Sequence, residues 1–363
     1  MIIPKLPNFA VLGMESIGSI PPSRYNIECW YPFVISRLIY NNKWQDYGFL
    51  IPSLAPNSYL GTIIHKLLED RVHGLIPDDN TYIEKWEKLV NETNHRVVSR
   101  YPSLRNFNIT NYRKMYESMK SVMKVSPIIS IKDIQKKDAV QSSFSTEVSV
   151  DYKNIIRGKI DRVKYLEGGV ELIDYKTGKV HNEDGTLKQD YVTQLNIYAL
   201  CFEHTFQKKV VKLTILQTDD MFELDVPILP SIAKDAEDKI SQINNLIISS
   251  LANNDIRPLQ KSSEKCAYCE CRHICSKYLQ SSERSEYEVD GEVTDNSSPS
   301  LLTLKNRQGK IANISTLQEL NIEGWGDLKG NHLIFINVSN PIGNTYKRTD
   351  RTLIYDISDL GLI

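Results

Sequence analysis

Apolar residues recur at helical spacing through the first third of the chain. The clearest stretch starts at Gly61 and Thr62, and its apolar positions repeat every three or four residues, at Ile63, Ile64, Leu67 and Leu68. A second stretch, from Thr81 to Val125, has a similar pattern that is broken around Tyr101-Pro102. Because this period is that of an α-helix with one buried face, we expect residues 20–130 to be largely helical.

The pattern then changes to the short, β-rich segments that predict strands. Turn residues divide three of them, and Glu167-Gly168-Gly169 is the clearest hairpin signal among the segments 144–151, 155–166 and 170–176. The patterns that follow predict a helix, two strands and a helix, at about 192–206, 210–217, 222–226 and 231–253. Strands and helices therefore alternate in this part of the chain.

A polar stretch, Gln280–Glu286, separates this core from a strand-rich C-terminal part. We therefore expect two domains, at residues 1–280 and 287–363. Several short strands within the last ~75 residues are typical of a small barrel or sandwich, and we expect a five-stranded OB-like barrel.

The composition is that of an ordinary soluble protein, with 41% hydrophobic and 25% charged residues and a net charge of −1. Between Arg100 and Lys164, however, 14 basic residues stand against 6 acidic ones. This excess could bind phosphates or form a solvated helical surface. We see no run of ~18 apolar residues and no signal-peptide pattern at the N-terminus, so we expect a cytoplasmic protein without a membrane span and with reduced thiols.

The strand that ends in Asp174 and Lys176 carries the first candidate chemistry. Side chains alternate faces along a strand, so these two share one side and lie about 7 Å apart. The preceding strand supplies Asp161, which the hairpin brings near Asp174 in a register uncertain by about one residue. Two such carboxylates repel each other when ionised, and a divalent cation would remove that repulsion. The alternative is an exposed Asp–Lys salt bridge.

Two predicted helices add possible companions to these residues. His65 shares a helix face with Glu69 and could complete a metal site, or could be an ordinary hydrogen-bonded histidine. Gln194 and Tyr198 also share a face, which could hold a phosphate or a base; Tyr198 could equally be a core residue.

The ordered series of motifs resembles the RecB-type branch of the PD-(D/E)XK nucleases. The motifs are G-x-x-x-H-x-x-L-E with His65, G-K-I-D-R with Asp161, I-D-Y-K-T-G with Asp174 and Lys176, and Q-x-x-x-Y with Gln194 and Tyr198. The resemblance, over residues 20–280, implies an α/β core in which helices flank a mixed sheet. It implies a nuclease in which Asp161, Asp174 and Lys176 are catalytic. It also implies that Mg²⁺ or Mn²⁺ is bound by His65, the two aspartates and the backbone carbonyl of Tyr175, and that Gln194 and Tyr198 contact DNA or support the site.

Three of the six cysteines, Cys266, Cys269 and Cys275, form a C-x2-C-x5-C pattern. In a reducing compartment such a cluster predicts metal ligation, and Cys29 could be the fourth ligand. The arrangement resembles the RecB-type subgroup with a [4Fe–4S] cluster, which includes CRISPR-associated adaptation nucleases and AddB-type nuclease domains. Here Trp30 follows Cys29, where that subgroup usually has proline. A zinc site that uses Cys271 or His273 is the alternative, and Cys201 is most simply a core residue.

The C-terminal strands carry basic and aromatic residues that suit single-stranded nucleic acid, above all Tyr346, Lys347 and Arg348. They could equally form a domain that only docks on the nuclease. We expect a metal-dependent DNA exonuclease that prefers single strands. Its setting would be repair, recombination, CRISPR adaptation or phage defence, with a helicase or a defence-system protein as a possible partner. The alternatives are a non-catalytic subunit that binds DNA ends for a helicase, and a zinc-stabilised interaction protein.

Overall fold

The computed structural model describes residues 1–8, 17–25, 28–125, 144–218, 221–281 and 284–360. Its helices are α1 Tyr31–Asn41, α2 Pro56–Val72, α3 Asp79–Arg100, α4 Tyr112–Val122, α5 Gln189–Phe206, α6 Pro230–Ala252 and α7 Ser276–Leu279. Its strands are β1 Phe144–Tyr152, β2 Ile156–Leu166, β3 Gly169–Lys176, β4 Val210–Gln217, β5 Phe222–Val226, β6 Glu288–Ser298, β7 Leu301–Lys305, β8 Ile311–Ser315, β9 His332–Ile336, β10 Thr345–Lys347 and β11 Leu353–Asp356.

The first sheet has five strands in the order β1-β2-β3-β4-β5. The pair β3–β4 is parallel and the other pairs are antiparallel. Helix α5 provides the crossover between β3 and β4, as a parallel pair requires. The prediction of a mixed sheet with helices is therefore confirmed. The strands of this sheet and the helices α5 and α6 begin and end within three residues of the expected bounds, whereas α2 begins at Pro56, five residues before the expected start at Gly61.

Helices cover both faces of this sheet. Val170 and Leu172 of β3 pack in one apolar cluster with residues of α1, α5 and α6. Ile173 and Tyr175 pack in a second cluster with residues of α2, α3 and α4. Strand β3 is consequently buried on both sides, so that its C-terminal end lies between the two helical layers.

The expected break at Tyr101-Pro102 separates α3 from α4. Residues 126–130 of the predicted helical region lie outside the described residues, as does the part of the basic segment between residues 126 and 143. Among the described helices, none combines the length and the apolar character that a bilayer crossing needs.

The C-terminal strands form one sheet of six strands, in the order β10-β8-β7-β6-β9-β11. The expected strand count of five was wrong, because Thr345–Lys347 adds a short strand parallel to β8. In this order β10 and β11 stand at opposite ends, so the pairing of the described residues does not show a closed barrel.

This C-terminal sheet packs against the N-terminal residues and against the helical core of the expected nuclease domain. Residues 1–6 lie along it, where the amide of Leu6 donates to the carbonyl of Asp356 at 2.8 Å and the N-terminal amine donates to the carbonyl of Asn321 at 2.7 Å. On its other face, Ile336 and Tyr355 belong to the same apolar cluster as α1 and α5. The polar stretch at 280–286 therefore joins two packed sheets, and the division at 280/287 stays a prediction.

Candidate functional site

The hairpin β2–β3 settles the register that the sequence left open. Arg162 pairs with Ile173 and Val163 with Leu172. The same register, continued by one residue, places Asp161 opposite Asp174. Directly opposed residues of an antiparallel pair point to the same face of the sheet, so the two carboxylates face one another at the end of the hairpin.

Asp174 is 6% exposed, and its charge is compensated by the ammonium group two residues away. Lys176 Nζ lies 2.5 Å from Asp174 Oδ2. The contact lacks hydrogen-bond geometry, so Oδ2 is a buried oxygen without a hydrogen-bond donor among the described residues. Gln194 of α5 joins both groups, accepting from Lys176 Nζ at 3.2 Å and donating to Asp174 Oδ1 at 3.5 Å. The Lys176 ammonium also lies 4.9 Å from the centre of the Tyr191 ring.

Asp161 is bound through its other neighbour on β3. Its Oδ2 accepts a hydrogen bond from the backbone amide of Tyr175 at 2.6 Å. The pKa of Asp161 is raised to about 7. Burial is the main cause, and the nearby charge of Asp174 raises the pKa by more than the hydrogen bond from the Tyr175 amide lowers it. Near neutral pH the pair therefore holds a proton that a cation could displace.

His65 of α2 reaches the site from the opposite helical layer. It lines a cavity of about 130 Å³ together with Asp161 and Tyr175. Burial lowers the pKa of His65, although the charge of Asp174 opposes this, so the imidazole is neutral at pH 7 and free to act as a ligand. The peptide group of Tyr175 borders the same site, and ligation by its carbonyl stays a prediction.

Two glycines explain how the helices come so close to the hairpin. A Cβ at Gly158 would lie 2.7 Å from the ring of Tyr198, and one at Gly61 would lie 2.9 Å from the hydroxyl oxygen of Thr177. Because a glycine has no Cβ, the Thr177 side chain can pack directly against Gly61, and the Tyr198 ring against Gly158. Tyr198 itself is 8% exposed and packs in the core, so here it supports the hairpin.

The cysteine loop, residues 264–276, consists of short 3-10 turns followed by the start of α7. A cavity of about 1290 Å³ is lined by the four expected cluster ligands: Cys29, Cys266, Cys269 and Cys275. Three of the four sulfurs accept a backbone N–H: Cys29 from Lys261 at 3.4 Å, Cys266 from Ser263 at 3.3 Å and Cys269 from Cys271 at 3.4 Å. Such bonds stabilise thiolates, the form that binds a metal.

The two residues that only the alternative zinc site would use, Cys271 and His273, do not line this cavity. Cys271 is fully buried and does not line the cavity. His273 is fully buried as well, and its Nε2 donates to the carbonyl of Phe49 at 2.7 Å. Cys201 is buried within α5, as expected of a core residue.

The sequence profile of the PD-(D/E)XK nuclease superfamily matches residues 27–276, which is more than half of the chain. The chain belongs to this superfamily. No curated protein matches it. Among solved structures, a crystal structure of a protein called SSO0001 aligns over 61% of this chain and 100% of that one, with 19% identity and a TM-score of 0.25.

PD-(D/E)XK nucleases generally depend on a divalent metal, typically Mg²⁺ or Mn²⁺. Within the part of the chain that the structure describes, no three His, Cys, Asp or Glu side chains already form a metal-binding group. At the hairpin the reason is visible, because Lys176 covers Asp174 and the Tyr175 amide holds Asp161. Two facing carboxylates, one with an unbonded buried oxygen, and a neutral imidazole nevertheless fit a divalent cation chemically.

Glu147 of β1 is a neighbour of the site that sequence reasoning missed. It lines the cavity beside His65 and Asp161. Its negative charge adds to the rise in the pKa of Asp161 and opposes the lowering of the pKa of His65. Its φ of 51° lies in the left-handed region, which is strained for a residue with a side chain. Nothing in the alternating pattern of β1 distinguishes this glutamate from an exposed strand residue, so no sequence signal could have found it.

The expected DNA contacts of the C-terminal sheet lie on its edge strand β10 and just after it. Lys347 is exposed and Tyr346 is half-buried. The side chain of Arg348 is 4% exposed and lies 4.0 Å from Glu319. This burial does not suit Arg348 to a direct contact with a nucleic acid, whereas Lys347 is placed for one.

Proposed function

We propose that this PD-(D/E)XK nuclease is a Mg²⁺- or Mn²⁺-dependent DNA exonuclease that prefers single strands. The observation that supports it best is the facing pair Asp161 and Asp174. Lys176 is in contact with Asp174, and Gln194 bonds to both Lys176 and Asp174. A non-catalytic subunit that binds DNA ends would have no chemical need for this combination of buried charges.

The chain's own residues have distinct parts in the proposed reaction. Asp161, Asp174, His65 and the Tyr175 carbonyl would hold the cation, which supplies a nucleophilic water and stabilises charge on the phosphate. Gln194 orients the Lys176 ammonium at Asp174. Once a cation compensates Asp174, that ammonium is free to offset the charge that develops on the phosphate.

The preference for single strands is supported by the large cavity. It reaches from Thr193 of α5 past the cysteines to Arg351, in the loop between β10 and β11 of the C-terminal sheet. Lys265 and Tyr268 also line it, and Tyr268 is 88% exposed. Exposed rings and ammonium groups along one groove suit unpaired bases and their phosphates.

The test is cleavage of end-labelled DNA with Mg²⁺ or Mn²⁺ by the parent chain and by Asp174→Asn. Asp184→Asn is the control, because Asp184 is exposed and its carboxylate accepts hydrogen bonds from Thr186 within its own turn. We expect Asp174→Asn to abolish cleavage of single strands and Asp184→Asn to leave it unchanged. Equal cleavage by both variants, or a preference for duplex, would overturn the proposal. Labels at each end also report the polarity.

We propose further that Cys29, Cys266, Cys269 and Cys275 hold a [4Fe–4S] cluster. Burial raises the pKa of Cys269 to about 11, and Cys29 and Cys275 contribute, so these thiols need a cationic partner to ionise together. After anaerobic purification, we expect iron and sulfide in the parent and in Cys271→Ser, and their loss in Cys275→Ser and Cys29→Ser. Zinc without sulfide would establish the alternative.

A further inference from the structure

The cysteine loop is attached to the C-terminal sheet by a buried ion pair. Arg272 of the loop pairs through Nε with Glu288 of β6, and the two side chains are only 9% and 1% exposed. The Tyr278 hydroxyl donates to the second carboxylate oxygen of Glu288 at 3.1 Å. On the loop side, Arg272 donates from Nη1 to the backbone carbonyl of Cys269 at 3.1 Å. Glu288 is thus linked to the backbone of an expected cluster ligand through one guanidinium group.

A second contact joins the loop to the far end of the same sheet. The ring of His273 lies 4.4 Å from the ring of Tyr355 on β11, and both are buried. Around the loop, the Tyr31 hydroxyl donates to the Ile274 carbonyl at 2.9 Å and the Ile51 amide donates to the Glu270 carbonyl at 2.9 Å. The loop is therefore fixed from the nuclease side as well as from the C-terminal sheet.

The ion pair differs in kind from the other contacts. The backbone hydrogen bonds within the loop are short turn bonds, such as those from Cys269 to Cys266 and from Arg272 to Cys269, so the shape of the segment also depends on what it packs against. A buried arginine is tolerated only with its charge partner, and removal of that partner leaves an uncompensated charge in place. Glu288 is consequently the charge partner of the arginine that bonds to the Cys269 carbonyl.

We propose that Arg272 and Glu288 are positioning residues, and that the C-terminal sheet holds the backbone of the cysteine loop in a fixed shape before any metal binds. The sheet is then an integral part of the cysteine site, whether or not it also contacts DNA. This inference does not depend on the nuclease reaction, and its first test does not depend on the proposed cluster.

The first test is hydrogen–deuterium exchange of the full metal-free chain. The variant is Glu288→Gln, and Glu171→Gln is its matched control. Glu171 is also a buried glutamate, 5% exposed and 3.2 Å from Lys212, but it lies on β3 of the nuclease sheet. We expect amides of the cysteine loop to exchange about tenfold faster or more in Glu288→Gln and at the parent rate in Glu171→Gln. Parent-like protection of the loop in Glu288→Gln would overturn the proposal.

Two further variants separate positioning from general destabilisation. Tyr278→Phe removes one hydrogen bond from Glu288, and we expect a smaller acceleration confined to the same loop. The double variant Arg272→Gln, Glu288→Gln leaves no lone buried charge but also lacks the bond from Arg272 to the Cys269 carbonyl, and we expect its loop to exchange as fast as in Glu288→Gln. Parent-like protection in the double variant would show that the lone charge alone caused the loss. Should Glu288→Gln fail to fold, Tyr278→Phe decides, because exchange spread over both sheets would contradict a local role.

In iron-loaded protein the same residues should control how firmly the metal is held. We expect a chelator to bleach the visible absorption of Glu288→Gln about tenfold faster than that of the parent or of Glu171→Gln. If the parent binds no iron, the cluster proposal fails, and the exchange experiment still decides whether the sheet holds the loop.

Discussion

The β2–β3 hairpin and the cysteine loop both gather side chains that repel one another when ionised, but they do so by different means. In the hairpin, strand register alone sets Asp161 against Asp174, and the partner lysine lies two residues along the same strand. In the cysteine loop, one expected ligand comes from before α1, and the backbone is held by a glutamate of the second sheet. The first site is encoded locally and the second depends on the whole fold.

This difference has a consequence for tolerance to mutation. A change far from the hairpin should leave its register intact, because the ladder of β2 and β3 fixes it. A change in the C-terminal sheet should reach the cysteine loop through Glu288. The predictions below test the hairpin side of this comparison, from the largest effect to the smallest.

The largest effect is expected for Lys176→Met, with Lys188→Met as its control. Both ammonium groups lie over the Tyr191 ring, at 4.9 and 5.8 Å from its centre, but only Lys176 touches Asp174. Loss of a group that offsets charge on the phosphate should lower kcat about a thousandfold, or about 4 kcal/mol. Single-strand cleavage rates measure this. Equal losses in both variants would mean that Lys176 acts only through the ring.

The same variant should bind the cation more tightly. Because Lys176 competes for Asp174 Oδ2, its removal should lower the Kd for Mn²⁺ while cleavage falls. Mn²⁺ titration followed by electron paramagnetic resonance checks this. Weaker binding in Lys176→Met would contradict the competition.

A pH-dependent effect of intermediate size is expected from Asp161. Its pKa in the folded chain is about 7, against an ordinary value of 3.8, so the folded state retains the proton up to a higher pH than the unfolded state does. Without metal, this group stabilises the fold fully below about pH 4, and the contribution is lost as the pH rises to about 7. Between those values the free energy of unfolding of the parent should therefore fall, relative to Asp161→Asn, by about 3 kcal/mol.

Urea unfolding of both chains at several pH values measures this difference. Mn²⁺ at pH 8 should restore the stability of the parent and have little effect on Asp161→Asn, since the cation replaces the proton between the carboxylates. A difference between the two chains that does not change with pH would show that Asp161 is not shielded from water by its neighbours.

The smallest effect is expected for Glu147→Gln, which sharpens the boundary of the site. Loss of one nearby charge should weaken Mn²⁺ binding about fivefold, or about 1 kcal/mol. Glu223→Gln on the exposed edge strand β5 is the control and should have no effect. If the two variants bind Mn²⁺ equally, Glu147 lies outside the electrostatic reach of the cation.

The sequence predicted the parts of the fold that depend on local pattern. Alternation and turn residues located the hairpin, and helical spacing located α2 and α5, because burial of one face imposes these periods. Glu147 was missed because the alternating pattern of a strand does not record a left-handed backbone. At Glu147 the backbone is left-handed, and the residue lines the same cavity as His65. Gly61 and Gly158 were recognised as motif letters, yet only the structure gives their physical reason, the close approach of Thr177 and Tyr198.

Long-range packing was the part that could not be predicted. The stretch 280–286 has the polar composition of a linker, but Arg284 within it pairs with Asp290 of β6, which also binds His332 at 3.0 Å. Composition does not distinguish a solvated arginine from one whose charge partner lies in a sheet. For the same reason Arg348 resembled a surface contact in the sequence, while its side chain is buried next to Glu319.

The central claim is that the β2–β3 hairpin forms a divalent cation site, and anomalous scattering from crystals soaked in Mn²⁺ tests it most directly. We expect one strong peak in contact with the carboxylates of Asp161 and Asp174 and near His65, with the Lys176 ammonium displaced from Asp174. Mn²⁺ bound elsewhere in the crystal, with the hairpin empty and Lys176 still paired to Asp174, would contradict the account.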